Sequence, residues 1–132
     1  GIQARVEATP VNVYLPRARN GDFSAAMLGW GSFSGDLALR ALLASPIPDK
    51  GFGTWNWSRY SNPKVDQLLE TGFATVDVKK REALAREAAS IALRDVGVVT
   101  LHHQLASWAL KQPLRYTGRT DEYTFAHHVR PK

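Results

Sequence analysis

Residues 21–36 read GDFSAAMLGWGSFSGD, and this stretch decides how the surrounding chain can fold. Its first half, residues 23–28, is a short apolar run entered through the turn pair Asn20-Gly21, which favours a buried strand over a helix. Three glycines follow and let the backbone turn sharply and approach a ligand closely. A loop that leaves a strand and enters a helix is a common ligand position in α/β sheets. Trp30 and Phe33 are therefore candidate ligand contacts, although both rings could instead simply pack within the connection.

The chain before this stretch predicts a strand followed by a helix. Residues 2–8 alternate apolar and polar side chains, which is the pattern of a strand with one wet face. Thr9 and Pro10 are typical of an N-cap and a first helical position, and helical spacing continues to Asn20, with Pro16 expected to keep the helix short. A strand, a helix and the strand at residues 23–30 together predict a parallel pair and an α/β fold.

The chain after this stretch predicts three helices and a long loop. A helix is expected over about residues 37–44, with Ser34 or Asp36 near its start. The aromatic-rich loop at residues 45–62 should pack against the loop that carries Trp30. Asn62-Pro63 and Asp77 begin two further helices, the second running to about Arg94, and together they predict a helical hairpin. The expected inward side chains are Val65, Leu68, Leu69, Gly72, Phe73, Leu84, Ala88, Ile91 and Ala92.

The last quarter of the chain gives weaker patterns. Residues 98–103 and 106–110 predict strands. Residues 111–132 contain little core material and predict no independent fold.

The length, the absence of Cys and the net charge exclude some functions but do not identify one. The 132 residues suit one domain, and the absence of Cys excludes disulfides and thiolate chemistry. A net charge of +5 leaves open a stand-alone basic module that binds nucleic acid. The 17 Lys and Arg residues are, however, mixed with 12 Asp and Glu residues rather than gathered on one segment, which argues against that alternative.

No residue set predicts catalysis, a metal site or a cofactor. The pairs His102-His103 and His127-His128 would point to opposite faces of a strand, so each offers one ligand to a given site. Ser32 lies in a glycine-rich loop without the pattern of a nucleophile elbow, and no phosphate-binding glycine motif is present. A small hydrolase that uses Ser32 or His102 remains the least favoured hypothesis. Aromatic and amide side chains suited to stacking and hydrogen bonding occur at Trp30, Phe33, Trp55, Asn56, Trp57 and Tyr60.

Five segments, in order, carry a resemblance to a known family. They are GDFSAAMLGWGS at 21–32, NWSRYSNPKVDQLL at 56–69, DVKKREALAREA at 77–88, RDVGVVTLHHQLASWALK at 94–111 and RYTGRTDEYT at 115–124. The chain resembles the carboxyl-terminal portion of family 5 extracellular solute-binding proteins, the dipeptide, oligopeptide and nickel-type receptors of ABC importers.

This resemblance implies a fold, partners and a location. The fold would be one lobe of a type II periplasmic binding protein, with a mixed sheet, flanking helices and a helical hairpin. Residues 1–110 would form the second, ligand-binding lobe, and residues 111–132 would return to a first lobe that lies outside this sequence. The partners would be a peptide or other small solute, held between the lobes, and the transmembrane permease. The protein would be periplasmic or anchored at the cell surface, without enzymatic activity, and an isolated lobe could associate with itself through its uncovered face.

The resemblance also implies binding residues. Trp30 matches a tryptophan that lines the cleft of peptide-binding members, and Asn56 matches a position beside that cleft that is commonly an amide. Phe33 occupies the position at which those members carry the aspartate that holds the peptide's amino terminus, and Asp36 follows one helical turn later. The predicted ligand-binding set is Trp30, Gly31, Ser32, Phe33, Asp36 and Asn56.

Overall fold

The computed structural model describes residues 1–132, which form two compact units, Gly1–Val99 and Thr100–Lys132. The division falls earlier than the boundary after residue 110 that the resemblance implies, so the assignment of a lobe and a returning tail stays a prediction. None of the helices combines the length and the apolar character needed to cross a membrane.

The first unit begins its regular structure with α1, Val11–Asn20. The helix starts one residue later than predicted, with Pro10 rather than Thr9 at the N-cap, and it continues for ten residues through Pro16. It ends in a Schellman motif, because Gly21 takes a φ of 84° and the N–H groups of Gly21 and Asp22 donate to the carbonyls of Ala18 and Arg17. The predicted turn at Asn20-Gly21 is confirmed.

Three more helices complete the first unit and confirm the predicted hairpin. Helix α2 spans Gly35–Leu42, α3 spans Pro63–Phe73 and α4 spans Val78–Arg94. The Asn62 side chain caps α3 by accepting from the backbone N–H groups of Lys64 and Val65, and Asp77 caps α4 by accepting from Lys80 at 3.0 Å. These caps stand where the sequence predicts them.

The core lies where α2, α3 and α4 meet the loop after α2. Its buried apolar residues are Leu43, Ala44, Phe52, Val65, Leu68, Leu69, Ala88 and Ala92, with Leu84 and Ile91 partly buried against them. The inward faces predicted for α3 and α4 are confirmed except at Phe73, which is exposed. Phe73 lies at the rim, where its ring meets Phe52 edge-on and lies 4.3 Å from the Arg40 guanidinium carbon.

The strands predicted at residues 2–8, 23–30, 98–103 and 106–110 are wrong, and so is the parallel pair. A strand is stabilised by backbone hydrogen bonds to a neighbouring strand. None of these segments has such a partner here. In residues 2–8 the apolar side chains also stay in solvent, with Ile2 97% and Val6 92% exposed. The observed architecture is mainly helical with one small sheet. It is compatible with part of an α/β fold, but it does not contain the predicted mixed sheet.

The second unit is built on that sheet. Strand β1, Leu114–Arg115, pairs antiparallel with β2, Arg130–Pro131, in a register that sets Arg115 opposite Arg130. A single helical turn at Ala126–His128 precedes β2. The Trp108 ring packs on Gly118 so closely that a Cβ there would lie 2.8 Å from ring atom Cε3, and its Nε1 donates to Thr124 Oγ1 at 2.8 Å. The aromatic packing gives this unit a small centre of its own.

Candidate ligand-binding surface

Three tryptophans form a continuous aromatic cluster in the first unit. The rings of Trp30 and Trp55 meet edge to face with centroids 5.3 Å apart, and those of Trp55 and Trp57 are 4.9 Å apart. This contact confirms the prediction that the loop at residues 45–62 packs against the loop that carries Trp30. Trp30 is 38% exposed, so it retains accessible ring surface after packing on Trp55.

Asn56 fixes the loop that carries two of these tryptophans. Its side chain is 5% exposed, and its Nδ2 donates to the carbonyls of Ala44 and Tyr60 at 2.9 and 2.7 Å. Its Oδ1 accepts from the Ser58 hydroxyl and from the Tyr60 backbone N–H at 3.0 and 3.1 Å. The chain itself therefore uses both donors and both acceptor positions of the amide. Asn56 holds the backbone between Trp55 and Tyr60, and its contact with a ligand stays a prediction.

Phe33 and Asp36 open onto a groove between the start of α2 and one face of α4. The groove has a volume of about 670 Å³ and a mainly apolar floor that includes Leu39, Val78 and Ala85. Phe33 stands at its edge with 90% of the residue exposed, and an exposed aromatic ring beside an apolar groove is suited to apolar parts of a ligand.

The charges of this groove are balanced within the chain. Asp36 pairs with Arg81 at 3.5 Å, and Glu82 pairs with Arg86 at 3.8 Å. Asp36 also stands in the first turn of α2, where the helix dipole favours a carboxylate. The groove thus has an apolar floor, and the two carboxylates that line it are already paired with arginines.

The remaining predicted residues lie in the turn between the cluster and the groove. Ser32 donates through its hydroxyl to the carbonyl of Ser34 at 2.9 Å, which shapes the entry to α2. A Cβ on Gly31 would meet no atom within 4 Å, so the chain leaves open space beside that glycine. Of the predicted set, Phe33 and Asp36 share the groove, whereas Trp30 belongs to the tryptophan cluster and Asn56 is buried in the loop between Trp55 and Trp57.

Sequence reasoning missed the contribution of α4 to this surface. Arg81 looks like one of the outward charges of an amphipathic helix, yet it is partly buried and pairs with Asp36. The positions that line the groove repeat at helical spacing on a second face: Val78, Arg81, Glu82, Ala85 and Ala89. The small alanines on that face could have indicated a close approach by another element. The structure contains no group of three or more His, Asp or Glu side chains arranged to hold a metal ion.

The similar proteins of known name include two that bind peptides. The chain is 26% identical to di/tripeptide-binding protein 1 of Pseudomonas aeruginosa (strain UCBPP-PA14) over 126 residues, or 89% of this chain and 21% of that protein. It is 23% identical to oligopeptide-binding protein OppA of Bacillus subtilis (strain 168) over 116 residues, or 87% of this chain and 20% of OppA. These matches indicate a distant relation to peptide-binding proteins.

A third similar protein is protein XP55 of Streptomyces lividans, which is 34% identical over 104 residues, or 78% of this chain and 18% of that protein. The chain therefore spans about a fifth of the length of the curated relatives that it matches. No family model matches the chain. No solved structure matches it.

Proposed function

We propose that this chain is part of the substrate-binding component of an ABC importer, which captures peptides or another small solute for delivery to a transmembrane permease. The observation that carries the proposal is the alignment of nearly nine-tenths of the chain with two proteins named for binding peptides. Because the chain spans only about a fifth of each, the proposal concerns a longer receptor. In that receptor, residues 1–110 contribute to the second lobe and residues 111–132 return to the first. The receptor works in the periplasm or at the cell surface, without catalysis.

The structure suggests how this part would contact a solute. Trp30 offers a ring held by Trp55, and Phe33 offers a ring that no neighbour covers. Because Trp55 already positions the Trp30 ring, that ring loses little conformational freedom when a ligand stacks on it. Gly31 and Ser32 connect these rings and allow the ligand to approach the backbone. Asp36 is paired with Arg81, and this ion pair links the start of α2 to α4 at the groove. Asp36 therefore contributes to the shape of the groove and does not offer a free negative charge to the solute.

The decisive binding test uses the full-length gene product. Its affinity for alanyl-phenylalanine and for alanyl-alanyl-phenylalanine is measured by isothermal titration calorimetry. We expect Phe33→Ala to weaken binding of the recognised peptide roughly tenfold, which corresponds to about 1.4 kcal/mol. The matched control is Phe73→Ala, because Phe73 is also exposed but lies outside the groove. Equal affinity in wild type and Phe33→Ala would remove Phe33 from the site, and absence of binding to both peptides would exclude these two sequences as solutes.

A second experiment separates a receptor from a stand-alone module. An immunoblot of the source cells with an antibody to this chain gives the size and location of the native product. A product several times heavier than 14.6 kDa, outside the cytoplasmic membrane, is expected. A product of 14.6 kDa would overturn the two-lobed receptor and would favour the basic module, whose binding to nucleic acid should fall steeply with salt.

A further inference from the structure

The second unit contains a small cavity that is distinct from the surface described above. The cavity has a volume of about 250 Å³ and is lined by Thr117, His128 and Arg130. A hydroxyl, an imidazole and a guanidinium group all supply hydrogen-bond donors, and no carboxylate lines the cavity. Other side chains of this unit form hydrogen bonds with one another or with the backbone: Trp108 with Thr124, Tyr116 with Tyr123, and Arg119 with Asp121. The three lining side chains take part in none of them.

Regular structure holds two of these donors in place. Arg130 lies in β2, where the ladder with β1 fixes its backbone opposite Arg115. His128 ends the helical turn before β2, and its backbone N–H donates to the Phe125 carbonyl at 3.0 Å. The His128 ring is packed among other rings, with centroids 5.9 Å from Phe125 and 4.4 Å from His127. The backbone of Arg130 and the ring of His128 are therefore held at the cavity by contacts within the folded unit.

The charge around the cavity is positive. Thr100–Lys132 carries five Lys and Arg residues, all four His residues of the chain, and two acidic side chains. One of those carboxylates, Asp121, is held by the Arg119 guanidinium through Nε at 2.8 Å and through a second nitrogen, and it also accepts from the Tyr123 backbone N–H. Arg130, in contrast, has no acidic partner within the chain. An arginine that lines a cavity and has no counter-charge is suited to binding an anion.

We propose that the cavity formed by Thr117, His128 and Arg130 binds a small oxyanion, either a phosphate or a carboxylate group. The Arg130 guanidinium can donate two parallel hydrogen bonds to two oxygens of such a group, while Thr117 and His128 donate to the remaining lone pairs. This site does not rest on the proposed receptor function, since it lies in the second unit and uses none of the predicted ligand-binding residues.

The titration of His128 provides a readout. Partial burial lowers the pKa of the His128 imidazole, and the positive charges of His127, Arg119 and Arg130 lower it further, while Asp121 opposes them. A bound oxyanion would favour the charged imidazolium. Binding should therefore raise the His128 pKa and should tighten as the pH falls through that pKa.

The test is a titration of the 132-residue chain with sodium phosphate, followed by the histidine side-chain signals in heteronuclear NMR at constant ionic strength. Sodium acetate is the second arm, which distinguishes carboxylates from phosphates, and sodium chloride is the control for screening. We expect a saturable shift of the His128 signal with phosphate or acetate and no saturable shift with chloride. Equal shifts with all three salts would overturn the site.

Three variants locate the effect. Arg130→Gln should weaken phosphate binding at least tenfold, and Thr117→Val should weaken it severalfold without altering the charge. Arg115→Gln is the matched control, because it removes an arginine directly across the ladder that does not line the cavity. Equal losses in Arg115→Gln and Arg130→Gln would show diffuse attraction and would overturn the proposal. Should Arg130→Gln fail to fold, Thr117→Val decides, since unchanged affinity there refutes the site.

Discussion

The hydroxyl of Tyr60 donates a 2.6 Å hydrogen bond to Oδ2 of Asp95, and this bond ties the loop before α3 to the residue that follows α4. Asn62, the cap of α3, donates to the same oxygen through Nδ2 at 2.7 Å. These two hydrogen bonds lower the pKa of the Asp95 carboxyl group. Burial, reinforced by Asp95, raises the pKa of the Tyr60 hydroxyl to about 12. The two ends of the helical hairpin are thus joined through one carboxylate.

The Asp95 carboxylate should make stability fall in acid. Because its pKa is lower in the folded chain than in the unfolded one, its contribution is present above the unfolded value of about 4 and is lost as the pH falls through the folded value. We expect Asp95→Asn to lower the free energy of unfolding at pH 7 and to flatten its decline below pH ~4. Urea denaturation between pH 7 and pH 2.5 measures both. An unchanged acid slope in Asp95→Asn would contradict the assignment.

Asn56 should be essential for the loop that carries Trp55 and Trp57. Asn56→Ala leaves the carbonyls of Ala44 and Tyr60 and one backbone N–H without their partners. We expect a loss of about 2–3 kcal/mol in the free energy of unfolding. Ser58→Ala is the comparison, because it removes only one bond of the same network and should cost about 1 kcal/mol or less. Similar losses in the two variants would mean that the amide is not the centre of the network.

Gly53 and Gly51 offer a matched pair for backbone strain and packing. Both have positive φ angles, 61° and 67°, so an alanine is strained at either position. A Cβ at Gly53 would also collide with the Ala44 carbonyl oxygen and lie 2.7 Å from the Pro46 nitrogen, whereas none of the chain lies within 4 Å of a Cβ at Gly51. Gly51→Ala should cost about 1 kcal/mol, and Gly53→Ala should cost clearly more. Thermal unfolding followed by circular dichroism compares them, and equal losses would refute the predicted collision.

Val96 occupies a position that favours glycine. Its φ is 58°, and it follows α4 in a Schellman motif in which Val96 and Gly97 donate to the carbonyls of Leu93 and Ala92. A β-branched residue in this conformation is strained, and Val96 is exposed, so its side chain returns little packing energy. Val96→Gly should raise the free energy of unfolding by about 0.5–1 kcal/mol. Val76→Gly is the control, since Val76 is exposed without a positive φ and should give no gain.

The helices could be predicted from the sequence because their determinants are local. Asn62 and Asp77 cap the helices that begin immediately after them, and the apolar spacing within α3 and α4 identifies the buried faces. The predicted strands are absent because the formation of a strand depends on a partner that is distant in sequence. An alternating pattern such as that of residues 2–8 predicts which side chains would share a face of a strand. The backbone hydrogen bonds of a strand, however, require a neighbouring strand. No such neighbour exists for that segment in this chain.

The candidate site, like the fold, was predictable only in part. The abundance of aromatics at residues 45–62 indicated a partner for Trp30, and the Trp30–Trp55 contact supplies it. The pairing of Asp36 with Arg81 was not predictable, because the two residues are 45 positions apart and their contact depends on how α2 and α4 pack. Phe73 shows the same limit, since helical spacing places it inward whereas the end of α3 leaves it at the rim.

The sequential arrangement of α3 and α4 has a kinetic consequence. Contacts between neighbouring helices joined by a short turn require little loop closure, so they can form early in folding. Residues 63–94 should therefore act as the folding nucleus, and α2 should dock on them afterwards through Leu39 and Leu42, together with Leu43 and Ala44, which follow the helix. During synthesis, the α3–α4 hairpin could fold before the residues after it are made. Residues 21–36, which are made earlier, could pack only after the hairpin has formed. Substitutions at Val65 or Ala88 should slow folding, and those at Trp30 should mainly accelerate unfolding.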